Sequence, residues 1–211
     1  MTIPGVSFPP PPLVGREREQ GVLRDYLAAA LAGHGGLVLI GGEAGIGKTA
    51  LAESLGDTAS AHGALVLVGC CYDLSETPPY GPWVELFGRY QSENGSPLPV
   101  AFAQRGTVGA VSSQAALFQQ VQEFLTLLAT QRPLVLLLDD LLWADHASIN
   151  LLRFLSRSLM MLPLLIVVTY RSDELTRLHP LYGLLPVLVH EARAERLDLH
   201  PLTENDLRAM V

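Results

Sequence analysis

Cysteine is scarce in this chain of 211 residues: there are two, Cys70 and Cys71, and they are adjacent. Neighbouring cysteines seldom bridge, and two make neither a disulfide framework nor a zinc site. The pair reads as small buried residues at a strand end. Long apolar runs are also missing. The longest, Leu159 to Tyr170, is interrupted by Pro163 and falls short of the roughly 20 residues that cross a membrane. The opening MTIPGVSFPPPPLVG lacks a basic stretch followed by an apolar core, so it does not read as a signal peptide. Basic charge is outweighed, with 14 Lys and Arg against 21 Asp and Glu, a net charge of −7. Such a chain makes a poor phosphate-tracking surface, which argues against direct nucleic-acid contact by this segment. No N-K-x-D segment and no LSGGQ-like run is present, which argues against a GTPase and an ABC transporter ATPase. A cytoplasmic protein that does not enter membranes is the expectation.

What the chain does have is apolar material for a core, 49% of its residues. Four prolines, Pro9 to Pro12, favour a stiff extended lead-in over residues 1–12. Residues 17–32 carry Val22, Leu23, Tyr26, Leu27, Ala30 and Leu31 at helical spacing. Leu37–Ile40 is a short wholly apolar run that suits a strand covered on both faces. A helix is expected over 49–62, a strand over 64–70, and a Pro/Gly-rich loop over 75–82. A mixed region follows to about residue 109, then a helix over 115–130. Further strands are expected at 134–138, 164–170 and 195–199, with helices at 147–159 and around 178–185. Alternating strands and helices predict an α/β fold in three layers, a parallel sheet with helices on both faces.

One loop carries the strongest chemical signal. Gly42-Glu43-Ala44-Gly45-Ile46-Gly47-Lys48-Thr49 matches G-x-x-x-x-G-K-[ST], with an apolar strand before it and a helix after it that takes in Ala50. Glycines let the backbone turn so that successive N–H groups face an anion, and the helix adds its positive N-terminal end. Lys48 is placed to reach β- and γ-phosphates, and the Thr49 hydroxyl to ligate Mg²⁺. An ordinary glycine-rich turn would leave the Lys-Thr pair unexplained.

A phosphate loop needs a carboxylate on a neighbouring strand. Leu134–Leu138 delivers Asp139 and Asp140 to the carboxyl edge of the sheet, where open α/β sheets bind ligands. Asp139 is expected to hold the Mg²⁺ shell, and Asp140 to position an attacking water. The alternative is two solvated acids in a strand–helix loop. Asp145 is either the N-cap of the next helix or a support for the metal site, and Trp143 reads as a packing residue. Arg171 either senses the γ-phosphate or pairs at the surface with Asp173 or Glu174.

Taken in order, LVGRERE (13–19), GGEAGIGKT (41–49), LLLDDLLWAD (136–145) and VVTYRSDE (167–174) resemble the signal-transduction ATPases with numerous domains, or STAND ATPases. These belong to the AAA-like P-loop group. The look is nearest the ATPase module of large LuxR-type transcriptional regulators of the maltose-regulator kind. The resemblance covers about residues 13–211. It implies a sheet order of 2-3-4-1-5, ATP or ADP with Mg²⁺ as ligands, and Val14 and Arg16 lying against the adenine; the residues alone leave open a simple turn and helix start with Arg16 paired to a local acid. It also implies an ATPase of low turnover that works as a switch for other domains of a longer polypeptide, with self-association on ATP binding. Residues 13–202 would form the ATPase domain. PLTENDLRAMV, with Thr203 as N-cap and Leu207, Met210 and Val211 starting an apolar face, reads as the start of a helical extension over 203–211. A nucleotide-binding scaffold with little turnover, a replication-initiator-like ATPase and a cyclase- or kinase-linked module are the alternatives.

Overall fold

The computed structural model describes residues 13–73, 78–90, 98–99, 102 and 113–202. The expectations for residues 1–12 and 203–211 lie outside these. Five strands, β1 (Gly36–Gly42), β2 (Leu65–Cys70), β3 (Leu134–Asp139), β4 (Leu164–Arg171) and β5 (Glu195–Asp198), form one parallel sheet. Their order is β2-β3-β4-β1-β5, the order expected from the resemblance. Among the described residues, six α-helices cover the sheet: α1 (Glu17–Leu31), α2 (Lys48–Ala61), α3 (Gly81–Arg89), α4 (Gln114–Gln131), α5 (His146–Ser156) and α6 (Pro180–Glu191).

The strands are apolar along their length because both faces are buried, and their side chains alternate between two cores. Val38, Ile40, Val135, Leu137, Leu165 and Val167 point to the face covered by α1 and α2. Leu37, Leu39, Leu136, Leu138, Ile166 and Val168 point to the face covered by α3, α4, α5 and α6. The same period of two carries on to the ends of β3 and β4. It puts Asp139 and Thr169 on the α2 side of the sheet, the side on which the helix after the phosphate loop begins.

Three elements depart from expectation. The region from 75 to about 109, read as loop and mixed segment, contains α3. Its Gly81 and Pro82 looked like loop residues, yet proline is tolerated in a helix's first turn, where the missing N–H has no partner to lose. Trp83, Leu86 and Phe87 then bury one face. α3 sits on β2 so closely that a Cβ on Gly69 would lie 2.1 Å from the Pro82 carbonyl oxygen. The helix expected to end near Leu185 runs on through Pro186 to Glu191. Burial of Leu184, Leu185 and Leu188 outweighs the cost of an internal proline, about 3 kcal/mol. The helix expected to reach Leu159 ends at Ser156, and a short 3₁₀ turn covers Leu159–Met161. Among the described residues no helix is long and apolar enough to cross a membrane.

Candidate functional site

The site lies at the carboxyl ends of β1, β3 and β4. β1 brings Gly41 and Gly42 to the edge of the sheet, where a Cβ on Gly41 would meet the Tyr170 hydroxyl at 2.6 Å. Gly45 and Gly47 have φ of +75° and +100°, left-handed values that side chains with a Cβ rarely adopt. Nothing lies within 4 Å of a Cβ at either position, so conformation, not crowding, calls for glycine there. Glu43, Ala44, Gly45, Thr49 and Ala50 are exposed and Ile46 is half-buried, so the loop is open to a ligand.

Lys48 opens α2 and is 7% exposed. Its ammonium donates to the carbonyls of Gly42 at 3.0 Å and Glu43 at 2.7 Å. Burial pulls its pKa down, and Asp140 is the first of the nearby charges opposing that shift. Held this way, the lysine spans the loop it belongs to and faces the acid pair.

Thr49 and Asp139 meet. Thr49 Oγ1 lies 3.0 Å from Asp139 Oδ1 and 3.2 Å from Oδ2. A hydroxyl that donates its proton to a carboxylate keeps its lone pairs for a cation. Thr169, which the sequence reading passed over, donates to Asp139 Oδ1 at 2.6 Å and accepts from the Asp140 N–H at 2.8 Å. The signal was there: one polar residue within the otherwise apolar run LLIVVTY.

Asp140 has φ +54° and ψ +51°, a left-handed conformation uncommon outside glycine and most accessible to Asn and Asp. Arg171 Nε donates to its Oδ2 at 2.9 Å, and Arg171 Nη1 donates to Glu174 Oε1 at 2.8 Å. Arg171 thus forms the expected surface pair with Glu174 and, in addition, an ion pair with Asp140. Its guanidinium lies 5.9 Å from the Trp143 ring centroid, and Trp143 itself packs half-buried against the core. Burial raises the Asp140 pKa, and the Arg171 charge and hydrogen bond pull the other way. Asp145 is the N-cap of α5, accepting from the Ser148 N–H at 3.0 Å and from the Ser148 hydroxyl.

Arg16 grips the phosphate loop from its flank. It precedes α1, is 6% exposed, and donates from Nη2 to the Ile46 carbonyl at 3.1 Å. A trans peptide points its C=O and N–H in opposite directions, so this contact turns the Gly47 N–H away from Arg16. Val14 is half-buried beside it in sequence. A cavity of about 250 Å³ lies between α1 and α2, lined by Gln20, Leu23, Leu51, Ser54 and Leu55 among others. None of residues 41–50, 139 or 140 lines it, so it is not the acid site.

The donor set fits a magnesium-bound polyphosphate. Among the described residues no cluster of three or more His, Cys, Asp or Glu could hold a metal by itself. One hydroxyl and one carboxylate are what a Mg²⁺ needs from protein when phosphates and waters supply the rest. Asp140 Oδ1 is buried and has no partner, a hydrogen-bond acceptor left to a water or ligand.

The chain matches the AAA ATPase domain family over residues 12–168. Among curated proteins, none matches it. Solved structures share its fold. Cdc6p from Pyrobaculum aerophilum superposes with a TM-score of 0.65 at 18% identity, over 98% of this chain and 50% of that one. The Aeropyrum pernix ORC1 protein, solved in complex with DNA, gives 0.58 at 21%, over 95% and 49%. A STAND protein with a tetratricopeptide-repeat sensor from Pyrococcus horikoshii gives 0.57 at 18%, over 95% and 25%. The chain thus spans half or less of each of these three proteins.

Proposed function

The chain belongs to the AAA ATPase domain family, and from that premise we propose that it is an ATP-binding, slowly ATP-hydrolysing switch domain of a longer signalling or transcriptional regulator of the STAND kind. The observation that carries this reading is the contact of Thr49 with Asp139, which joins the phosphate loop to the acid-bearing strand. In this reading Gly42, Glu43, Ala44, Gly45, Ile46, Gly47, Lys48, Thr49 and Ala50 wrap the phosphates. Thr49 and Asp139 would hold Mg²⁺, which when bound would supply positive charge against the phosphates. Asp140 orients the attacking water through Oδ1. Arg171 releases Asp140 or Glu174 to meet the γ-phosphate, and Val14 and Arg16 flank the adenine.

Switching requires that the γ-phosphate favour one arrangement over another. Arg171 is suited to that: it is shared between Asp140 and Glu174, and a phosphate competes with both. Neighbouring domains of the same polypeptide, and self-association on ATP binding, are the outputs this reading expects, in the cytoplasm. A nucleotide-holding module with little turnover is the second reading, favoured by the Asp140–Arg171 ion pair, which occupies the proposed water-positioning acid. The net charge of −7 counts against DNA contact by this segment, unlike the Aeropyrum ORC1 protein seen with DNA.

The test is the melting temperature of the chain titrated with MgATP and MgADP, beside Lys48→Ala. A ligand that binds only the folded state stabilises by RT ln(1 + [L]/Kd), about 2.7 kcal/mol at a hundredfold excess over Kd. The wild type should shift and the variant should not. Equal shifts in both would remove the phosphate-loop assignment.

A further inference from the structure

We propose that Thr169 is a positioning residue that holds Asp139 and Asp140 as one unit. The inference rests on the ATPase reading of the site. A threonine hydroxyl has one proton to give and lone pairs to accept with, and here both are committed. The proton goes to Asp139 Oδ1, 2.6 Å away, and a lone pair takes the Asp140 N–H at 2.8 Å. The side chain is 2% exposed and β-branched, so its χ1 is stiff, and the oxygen cannot serve one acid without serving the other.

The consequence for each acid is separate. Asp139 has its carboxylate plane set by two hydroxyls, Thr169 from β4 and Thr49 from α2. Without Thr169 the carboxylate keeps one tether and can rotate about its side-chain bonds. Asp140 turns left-handed directly after the strand. Its N–H would otherwise lack a partner at the point where the chain leaves β3, and the Thr169 oxygen satisfies it. One oxygen atom on β4 therefore sets the Asp139 carboxylate relative to the backbone from which Asp140 projects, and Arg171 holds the Asp140 carboxylate itself. The register makes this possible: Leu138 pairs with Val168, so Asp139 and Thr169 come next, on the same side of the sheet.

The test uses the full chain with Thr169→Val, which keeps shape and removes the hydroxyl, and Thr169→Ser, which restores it. Nucleotide affinity is measured with Mg²⁺ and with EDTA, and turnover is followed with saturating MgATP. Thr169→Val should bind ATP in EDTA as the wild type does. It should lose about tenfold or more of the gain that Mg²⁺ brings, and about 10- to 100-fold in turnover, the range for residues that orient metal ligands. Thr169→Ser should recover most of both. In an Asp139→Asn background Thr169→Val should cost no further Mg²⁺ dependence, because its effect on the metal runs through that carboxylate. Melting temperatures identify a variant that fails to fold, and Thr169→Ala then takes the place of Thr169→Val. A Thr169→Val protein that keeps the full Mg²⁺ gain and turnover overturns the inference alone. A wild type that shows no Mg²⁺ gain at all overturns the ATPase reading, and the inference with it.

Discussion

Thr49 and Asp139 stand 90 positions apart in sequence, and their side chains are joined by a hydrogen bond of 3.0 Å. One lies in the first turn of α2 and the other ends β3, so the bond links the phosphate loop to a strand two places away across the sheet. Nothing else in the described site ties those two elements through side chains so directly. Asp139→Asn should therefore weaken Mg²⁺-dependent binding while sparing the metal-free affinity. The amide keeps an oxygen acceptor but loses the charge, and the expected loss is about tenfold or more in the Mg²⁺ effect. Calorimetry with ATP, in Mg²⁺ and in EDTA, reads it. Equal losses under both conditions would assign Asp139 to loop architecture and not to the metal.

Arg16 gives a different kind of prediction, one about loop shape. Its guanidinium is nearly buried, donates to the Ile46 backbone carbonyl and lies 3.9 Å from Glu19 Oε1. Arg16→Ala leaves that carbonyl without its charged donor, and about 1.5–3 kcal/mol of stability should go with it. Lysine should not rescue, since it presents a compact ammonium in place of the planar guanidinium. The check is a denaturant melt of wild type, Arg16→Ala and Arg16→Lys, followed by nucleotide titration of whichever variants fold. If Arg16 instead serves only the adenine, the melts will coincide and the titrations alone will differ.

The parts of the fold legible in the sequence were those written locally. Leu37–Ile40 and Leu134–Leu138 announce buried strands by being apolar throughout, and the eight residues from Gly42 to Thr49 announce a phosphate loop by spacing. The strand order came from the resemblance carried by the four motifs, not from periodicity. The partners of Thr169 and the Ile46 contact of Arg16 were illegible because each depends on register between distant elements: Thr169 on the pairing of β3 with β4, Arg16 on where α1 docks beside Ile46; the pairing of Arg16 with a local acid, Glu19 at 3.9 Å, was readable. α3 was missed for a local reason. Gly81 and Pro82 look like loop residues, and only the burial of Trp83, Leu86 and Phe87 decides the matter.

Two glycines should respond in opposite directions, and the first of them, Gly69, tests the placement of α3. At Gly69 a Cβ would lie 2.1 Å from the Pro82 carbonyl oxygen, and backbone cannot step aside without moving α3. Gly69→Ala should be strongly destabilising, on the order of 2 kcal/mol or more. At Gly183, inside α6, nothing lies within 4 Å, so Gly183→Ala should stabilise by about 0.5–1 kcal/mol through helix propensity. Thermal melts of the two variants decide it. A harmless Gly69→Ala would mean that α3 does not press on β2.

Asp140 joins a prediction about turnover to one about pH. Burial raises its pKa above the model-compound value of 3.8, despite Arg171. The folded state thus favours the neutral carboxyl. Its contribution to stability is full below the unfolded-chain pKa and is lost as pH rises through the folded value. At neutral pH the ionised Asp140 is held at a cost, as expected of a group retained for chemistry. Asparagine carries no charge at any pH and tolerates the left-handed backbone, and Arg171 keeps Glu174 as a partner. Asp140→Asn should therefore melt at or above the wild type at pH 7 and lose that advantage as the pH falls toward 4. MgATP affinity should persist while turnover falls by about 10²-fold, the usual scale for a missing general base. A variant with unchanged turnover would strip Asp140 of its catalytic part, whatever its melting curve shows. One that gains stability and loses turnover would show that this acid is kept for the reaction at the expense of the fold.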